Sequence, residues 1–429
     1  MFSSTGSLSW SIYYGGSGND EGRGVSTDNS GNVYITGWTN SSDGIATSGA
    51  YQTSYGGGAG GNGVGDAFLA KFSNTGSLSW ATYFGGDEPD AGEGVSTDAS
   101  GNVYITGYTE SSGLSTPGAY QACCSGAFLA KFSSSGTITW ATYFGGNYSS
   151  QDFGFGVSTD ASGNVYITGD THSSSGIATS SAYQSSYAGT TSKGNAFLAK
   201  FSSKGSLSWA TYYGGNGDDF GFGVSADNFG NVYITGMTGS SSGIATTGAY
   251  QASLQGTQDA FLAEFSSSGS LTWATYYGNV GEQATGVATD GSGNVYMTGL
   301  TYSNSGIATT DAYQTFNAGQ GDVLLIKFHS HNSGISPAMN TVIYGLNIYP
   351  NPFSNKTTID FTLPQTSHVK ISVMDMSGKV LYVSADKMLN LGQNELEINA
   401  SEAGLASGTY FVNIAINDQV INRKIIEVR

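Results

Sequence analysis

The heptapeptide Gly-Asn-Val-Tyr-Ile-Thr-Gly occurs four times in this chain, and a fifth time with Met in place of Ile. The copies start at Gly31, Gly101, Gly163, Gly230 and Gly293, a period of 62 to 70 residues. A repeat this regular makes the chain an array of like units before any single residue is weighed. Each unit carries four strand signals. In the second copy they fall at 94–98, 103–106, 127–132 and 137–144. A turn, Asp98-Ala99-Ser100-Gly101-Asn102, joins the first two, and a longer loop with Ala119-Tyr120-Gln121 joins the next.

Alternate positions on both sides of these strands are apolar or small: Leu78, Trp80 and Phe84 on one, Ala81 and Tyr83 on the other. Sheets of this kind are covered on both faces. A ring of four-stranded blades meets that demand, because each blade lies between two neighbours. A parallel β-solenoid is the alternative, but its coil is usually much shorter than this period. The expected fold is therefore all-β: a β-propeller with five repeats over 1–329, a linker over 330–342, and a small Ig-like β-sandwich over 343–429. Composition agrees. There are 65 Gly, 13% aromatics and only 10% charged residues, which fits short strands and tight turns.

The recurring Trp-x-Thr-Tyr-Phe-Gly-Gly, Gly-Val-x-x-Asp-x-x-Gly-Asn-Val-Tyr-Ile-Thr-Gly, Gly-Ala-Tyr-Gln and Ala-Phe-Leu-Ala-Lys-Phe resemble the bacterial β-propeller repeat called SBBP, over about residues 1–330. That resemblance implies fold only and supplies no catalytic residue. The last repeat stops after a third strand, 323–328, whereas residues 8–14 read as a fourth strand. Their pairing would close a five-bladed ring. Residues 2–6 match 72–76, so the chain starts in mid-repeat. This predicts further blades and a signal peptide upstream, with five blades as a minimum.

Charge limits the partners. The net charge is −17, and residues 1–342 hold 23 acids against 7 Lys or Arg. Nucleic acid and anionic membrane are poor partners for such a surface. No apolar run is long enough for a transmembrane helix. Cys123 and Cys124 are the only cysteines. Their Cα atoms, about 3.8 Å apart across a trans peptide, would strain a disulfide, so two loop thiols are expected.

In a propeller the tight first-to-second and third-to-fourth turns share one face. There Asp28, Asp98, Asp160, Asp227 and Asp290 are expected to hold turn N–H groups, with calcium as the weaker reading. The opposite face carries the variable loops, where rigid scaffolds usually bind. Asp20, Glu21, Asp87, Glu88, Asp90, Asp152, Asp218, Asp219 and Glu282 lie there, with Tyr55, Tyr187 and Phe316 nearby, and form the candidate ligand face. Plain solvation of an acidic protein competes with that reading. Gly15–Asp20 and Gly214–Asp219 match the start of a calcium nonapeptide, but that motif binds only when stacked. No cofactor or metal is expected, although oxygen ligands suffice for an isolated Ca²⁺ in one loop. No catalytic set appears: His172, His329, His331 and His368 do not recur with the repeat, and no nucleophile elbow exists. Paired carboxylates such as Asp218 and Asp219 could serve an acid–base mechanism, but adjacent acids in a loop are far more often solvated charges.

The tail resembles the type A C-terminal sorting domain of the type IX secretion system. The matching residues are Tyr349-Pro350-Asn351-Pro352-Phe353, Asp375-Met376-Ser377-Gly378-Lys379-Val380-Leu381, Gly404-Leu405-Ala406-Ser407-Gly408-Thr409-Tyr410-Phe411-Val412 and Arg423-Lys424-Ile425-Ile426-Glu427-Val428. The resemblance makes Pro350, Asn351, Pro352, Gly378, Gly408, Tyr410 and Lys424 the sorting signal. It implies a Bacteroidota-type envelope and the secretion machinery as partner. The location would be secreted or on the outer-membrane surface, with the tail cut off on release or on anchoring to surface polysaccharide. The function expected first is a monomeric, non-enzymatic binding or adhesion protein with a glycan or surface ligand. An extracellular polysaccharide hydrolase or lyase, and a purely structural envelope protein, remain as alternatives.

Overall fold

The computed structural model describes every residue except 1–5, 59–64, 124, 148–150, 191, 310–311, 329–343, 364–365, 376–378, 417–418 and 429. The calls on His329, His331, Gly378, the linker and the Cys124 thiol lie outside the described residues. The chain divides into two compact units, Met1–Gly334 and Ile335–Arg429.

The first unit is a series of antiparallel meanders. Blade 1 is β1 (Asp20–Thr27), β2 (Val33–Thr39), β3 (Asp66–Phe72) and β4 (Leu78–Phe84). Blade 2 is β5 (Asp90–Thr97), β6 (Val103–Thr109), β7 (Gly126–Phe132) and β8 (Ile138–Phe144). Blade 3 is β9 (Asp152–Thr159), β10 (Val165–Thr171), β11 (Asn195–Phe201) and β12 (Leu207–Tyr213). Blade 4 is β13 (Asp219–Ala226), β14 (Val232–Thr238), β15 (Asp259–Phe265) and β16 (Leu271–Tyr277). Blade 5 has three strands, β17 (Gln283–Thr289), β18 (Val295–Thr301) and β19 (Asp322–Phe328).

The heptapeptide explains itself in this frame. Its first Gly sits in the turn at positive φ, for example 77° at Gly31 and 78° at Gly101, a conformation that costs an L side chain free energy. The Asn side chain donates to the turn Asp, as Asn102 does to Asp98 at 2.8 Å, and the Tyr hydroxyl donates to the same carboxylate at 3.0 Å in Tyr104. All five turn aspartates are tied this way. The Thr hydroxyl reaches the third strand, Thr168 to the Phe197 carbonyl at 2.7 Å. The final Gly faces a bulge in the first strand, and a Cβ on Gly169 would lie 1.7 Å from the Phe153 carbonyl oxygen. Only glycine fits there.

Blades stack through their innermost strands, β1 beside β5, β5 beside β9, β9 beside β13 and β13 beside β17. Leu69, Tyr34 and Phe84 of blade 1 share a core with Val95, Ile105 and Phe128 of blade 2. Full burial of each such side chain is worth about 1.5–3 kcal/mol. A latch repeats at the first three joins. Trp80 Nε1 donates to the Ser134 carbonyl in the next blade's outer turn at 3.0 Å, Trp140 to Ser203 at 3.0 Å and Trp209 to Ser267 at 3.1 Å. The Ala-Tyr-Gln loop is a strap along the fourth strand: Gln121 pairs through its backbone with Thr142 and Tyr143, and its Oε1 accepts from Gly145 N–H.

One expectation is corrected here. Residues 8–14 do not complete blade 5, whose sheet has three strands among the described residues. They lie on blade 1, where Trp10 Nε1 donates to the Asn74 carbonyl and Tyr14 packs edge-on against Phe72. The aromatic rings of that segment cover the flank of the first blade.

The second unit is a two-sheet sandwich. One sheet joins β20 (Tyr344–Tyr349), β21 (Lys356–Leu363) and β24 (Gly392–Asn399); the other joins β23 (Val380–Leu389), β22 (Ser367–Met374), β25 (Gly408–Ile416) and β26 (Gln419–Glu427). Ile359, Phe361, Val369, Ile371, Val412, Ile414 and Ile425 fill the space between them. The sequence reading did not place β20 and β23.

Candidate functional site

The acidic residues assigned to the variable-loop face divide by burial. Asp87 and Glu88 are exposed, and Glu21 is exposed beside Arg23 at 2.9 Å. Asp20 and Asp218 are half-buried. Asp90, Asp152, Asp219 and Glu282 are 0% exposed. These four cannot present charge to a ligand, which corrects their place in the candidate face. Each heads its blade as a staple. Asp219 accepts from the Thr238 and Ser240 hydroxyls, from Gly215 N–H at 2.9 Å and from Asn195 Nδ2 at 3.1 Å. Asp152 is held by Thr171, Ser173 and Gly146 N–H, and Glu282 by Thr301, Ser303 and Asn279 N–H. Asp20 accepts from Gly16 N–H, Thr39 and Ser41, so the Gly-Gly-x-Gly-x-Asp segment is this staple. The adjacent acids Asp218 and Asp219 are therefore not an exposed acid–base pair. Among the described residues, no group of three or more His, Cys, Asp or Glu side chains is arranged to hold a metal ion.

Burial has an electrostatic consequence. Desolvation raises Asp90 and Asp219 to about 6 against the hydroxyl and N–H bonds that pull them down. Asp66 and Asp259, in the third strands beside these corners, are also raised to about 6 by burial, each with a neighbouring carboxylate adding to the effect. Glu264, which replaces the Lys of the other blades, is pushed by burial to about 7. A carboxyl with a raised pKa binds its proton more tightly in the folded chain. Stability therefore rises as pH falls through the folded values near 6 to 7, and levels off near the unfolded values of about 4. Melting is expected several degrees higher at pH 5.5 than at pH 7.5. The gain should persist at high salt, because buried groups are poorly screened. Equal or lower melting at pH 5.5 would refute this balance.

Two clefts among the described residues of the propeller unit bear on the site. One, of about 250 Å³, is built from recurring parts: the Thr47–Tyr51 strap, Trp80 and the Gly136 turn. The other, of about 510 Å³, lies on the variable-loop side at the join of blades 3 and 4. Tyr183, Gln184, Tyr187, Asn216 and the backbone at Gly214, Gly215 and Gly243 line it. No charged side chain does. Tyr187 is fixed by its hydroxyl, which donates to the Lys193 carbonyl, and by edge contact with Tyr212 at 5.7 Å. Of the predicted aromatic neighbours, the structure brings Tyr187 to this cleft, while Tyr55 meets Tyr83 at a tilt of 58° and Phe316 is exposed in blade 5.

Sequence reasoning missed the pair beside Tyr187. Asp170 occupies the position of Trp38, Tyr108, Met237 and Leu300 in the other blades. It is 2% exposed and lies 3.7 Å from His172 Nε2. Neither Asp170 Oδ1 nor His172 Nδ1 has a hydrogen-bond partner. Burial first, then the charges of Asp152 and Asp218, holds the Asp170 carboxyl well above the ordinary carboxylate range. The available signal was an acid at the one position of the strand that is otherwise apolar in every copy.

In the tail, Asn351 Oδ1 accepts from Ile426 N–H at 2.9 Å, and Phe353 exchanges backbone bonds with Ile426 and Val428, which tie the Asn-Pro-Phe turn to the last strand. Both prolines follow cis peptides. Pro350 and Pro352 are exposed, and the Tyr410 hydroxyl closes on Ala406. Gly408 pairs with Glu427, and Lys424 lies opposite Phe411 in the ladder.

Repeated four-stranded blades stapled to one another define a β-propeller repeat protein. Residues 9–45, 79–114, 139–176, 208–243 and 272–306 match the SBBP beta-propeller repeat, and residues 347–428 match the secretion system C-terminal sorting domain. The first unit is thus an array of SBBP repeats. The second is a type IX sorting domain that engages the secretion machinery and sends the chain to the cell surface or the medium. No helix among the described residues is long and apolar enough to cross a membrane. No curated protein sequence matches the chain. Among solved structures it is similar to a gluconolactonase from Xanthomonas campestris, at 11% identity over 65% of this chain and 83% of that one, TM-score 0.30. It is also similar to a glycoside hydrolase family 43 arabinoxylan arabinofuranohydrolase from Bacillus subtilis, at 14% identity over 96% and 95%, TM-score 0.29. Likenesses this weak carry no argument about activity.

Proposed function

We propose that this exported propeller is a non-enzymatic binding or adhesion protein whose ligand is a neutral glycan. The supporting observation is the uncharged cleft at the join of blades 3 and 4, with tyrosines, an exposed Asn216 amide and backbone polar groups as its lining. Aromatic faces with a few fixed polar groups suit a sugar ring, and the surrounding negative charge disfavours anionic ligands. The test is a glycan array probed with the intact chain and with Asn216→Trp, which fills the cleft from an exposed position. Binding to neutral glycans is expected for the first and at least a tenfold loss for the second, at unchanged melting temperature. Absence of binding by folded protein would sink the reading.

A second reading, an extracellular polysaccharide-acting enzyme, is favoured by Asp170 and His172 alone. It requires release of reducing ends from a neutral polysaccharide that Asp170→Asn abolishes.

A further inference from the structure

We propose, resting on the neutral-glycan reading of the larger cleft, that the smaller cleft at the join of blades 1 and 2 is a second site for the same class of ligand. The ligand is then a polysaccharide chain long enough to occupy both. The floor of the smaller cleft is the fourth strand of blade 1 at Ser79, Trp80 and Ala81. One wall is the strap at 47–51, and the other is the outer turn of blade 2 at Gly136.

These parts are fixed before any ligand arrives. Thr47 N–H donates to the Ala81 carbonyl at 2.9 Å and Gln52 N–H to Thr82 Oγ1 at 2.9 Å, so both ends of the strap are tied to β4. Tyr51 meets Phe132 of blade 2 edge-on at 6.0 Å. A Cβ on Gly136 would lie 2.7 Å from Trp80 Cδ2, so a glycine is what lets the turn lie this close to the indole. Little ordering is left for binding to impose.

The lining indicates what would enter. No charged side chain contributes to it. Ser48, Ser79, Ser135 and Thr137 are exposed and bring their hydroxyls to the opening, beside a Tyr51 that is 44% exposed. Hydroxyls around an aromatic ring suit a neutral sugar and offer no counter-charge to an ion.

The same parts meet at the join of blades 3 and 4. There the strap at 179–183 is tied to the Ala210 carbonyl, and a Cβ on Gly269 would lie 2.8 Å from Trp209 Cδ2. Tyr183 of that strap also lines the larger cleft, so Tyr51 and Tyr183 hold the same place at the two joins. The join of blades 2 and 3 differs, because an exposed Lys204 replaces Ser135 and Pro117 replaces Ser48. The counterpart of the larger cleft is closed at the first join. Gly56 and Gly58 lie so near Gly86 and Glu88 that a Cβ would come within 2.2 and 2.4 Å of their backbone atoms. The first join is therefore left with about 250 Å³ against about 510 Å³, which makes it the weaker site. Two unequal sites on one rigid body reward a long ligand, since the second contact forms at the effective concentration that the first one sets.

The test titrates mannan, dextran and laminarin, each as polymer and as hexasaccharide, into the intact chain by calorimetry. The variants are Asn216→Trp, the pair Ser48→Leu with Ser135→Leu, and all three together. Each substitution is at an exposed position, so melting temperature should not move. With the probe that binds, the expected result is two hexasaccharide sites of unequal affinity in the intact chain, one in each variant and none in the combination. The leucine pair should weaken polymer binding at least tenfold while leaving the hexasaccharide affinity of the larger cleft unchanged. A single hexasaccharide site, removed by Asn216→Trp and untouched by the leucine pair, would overturn the second site and leave the reading of the larger cleft in place. Polymer affinity indifferent to the leucine pair would overturn the joint occupancy. No binding of any probe by the folded intact chain would overturn both readings.

Discussion

Gly169→Ala is expected to abolish or nearly abolish folded protein. The added Cβ would lie 1.7 Å from the Phe153 carbonyl oxygen, 2.8 Å from its carbon and 2.8 Å from Phe197 Cε1. The first two are backbone atoms of β9, held at the bulge by pairing with β10. They cannot step aside without breaking the ladder that the heptapeptide forms with the innermost strand. That strand is also the one that meets β5 and β13. The strain therefore spreads to two joins, and the cost is about 3 kcal/mol or more. Gly163→Ala is the instructive companion. Gly163 has a φ of 77° but only one atom, Ser203 Cβ, near its would-be Cβ, at 3.7 Å. Its cost is set by backbone conformation alone, about 1 kcal/mol. Thermal melting of the two variants should rank them in that order. Equal melting would refute the close-approach explanation.

The second large effect is at Asp219. Asp219→Ala removes the acceptor from two buried hydroxyls, a backbone N–H and an amide. Each orphaned donor costs about 1–3 kcal/mol, partly offset because the carboxyl itself is buried at a cost that its raised pKa records. A net loss of about 3–5 kcal/mol is expected without any ligand present. Asp219→Asn keeps the shape, and hydroxyls can rotate to accept from its amide, so a milder loss of about 1–2 kcal/mol is expected. Denaturant unfolding of the apo chain decides it. A ligand-binding carboxylate would lose affinity on substitution and leave apo stability intact. Asp87→Asn is the exposed control and should change nothing in stability.

The contrast between Asp219 and Asp87 shows what was legible in the sequence. The blade was, because its strands and turns are local: Val103-Tyr104-Ile105-Thr106 and Asp98-x-x-Gly101-Asn102 carry their own pairing and turn chemistry. The burial of Asp90, Asp152, Asp219 and Glu282 was not, because their partners lie about twenty residues downstream. A clue existed in Thr109-Glu110-Ser111, Thr171-His172-Ser173 and Thr238-Gly239-Ser240, which recur in step with the acids. Asp170 escaped notice for the opposite reason, since a method that looks for recurrence discounts the odd residue. In the tail, β23 was missed because most of its residues are exposed, so its apolar alternation is weak. The placement of residues 8–14 was not legible, because the blade 1 flank they cover and the edge of β19 are built from the same repeat.

The tryptophan latch also gives this protein an internal gauge. Five of its six tryptophans, at 10, 80, 140, 209 and 273, are in the fourth-strand position. For Trp10, Trp80, Trp140 and Trp209 the indole N–H is bonded to the outer turn of the blade that follows. Their emission therefore reports on separation of neighbouring blades, whereas circular dichroism reports on the sheets. If the two signals move together on heating, the array melts as one body. If fluorescence moves first, the blades part like beads on a thread while each stays intact.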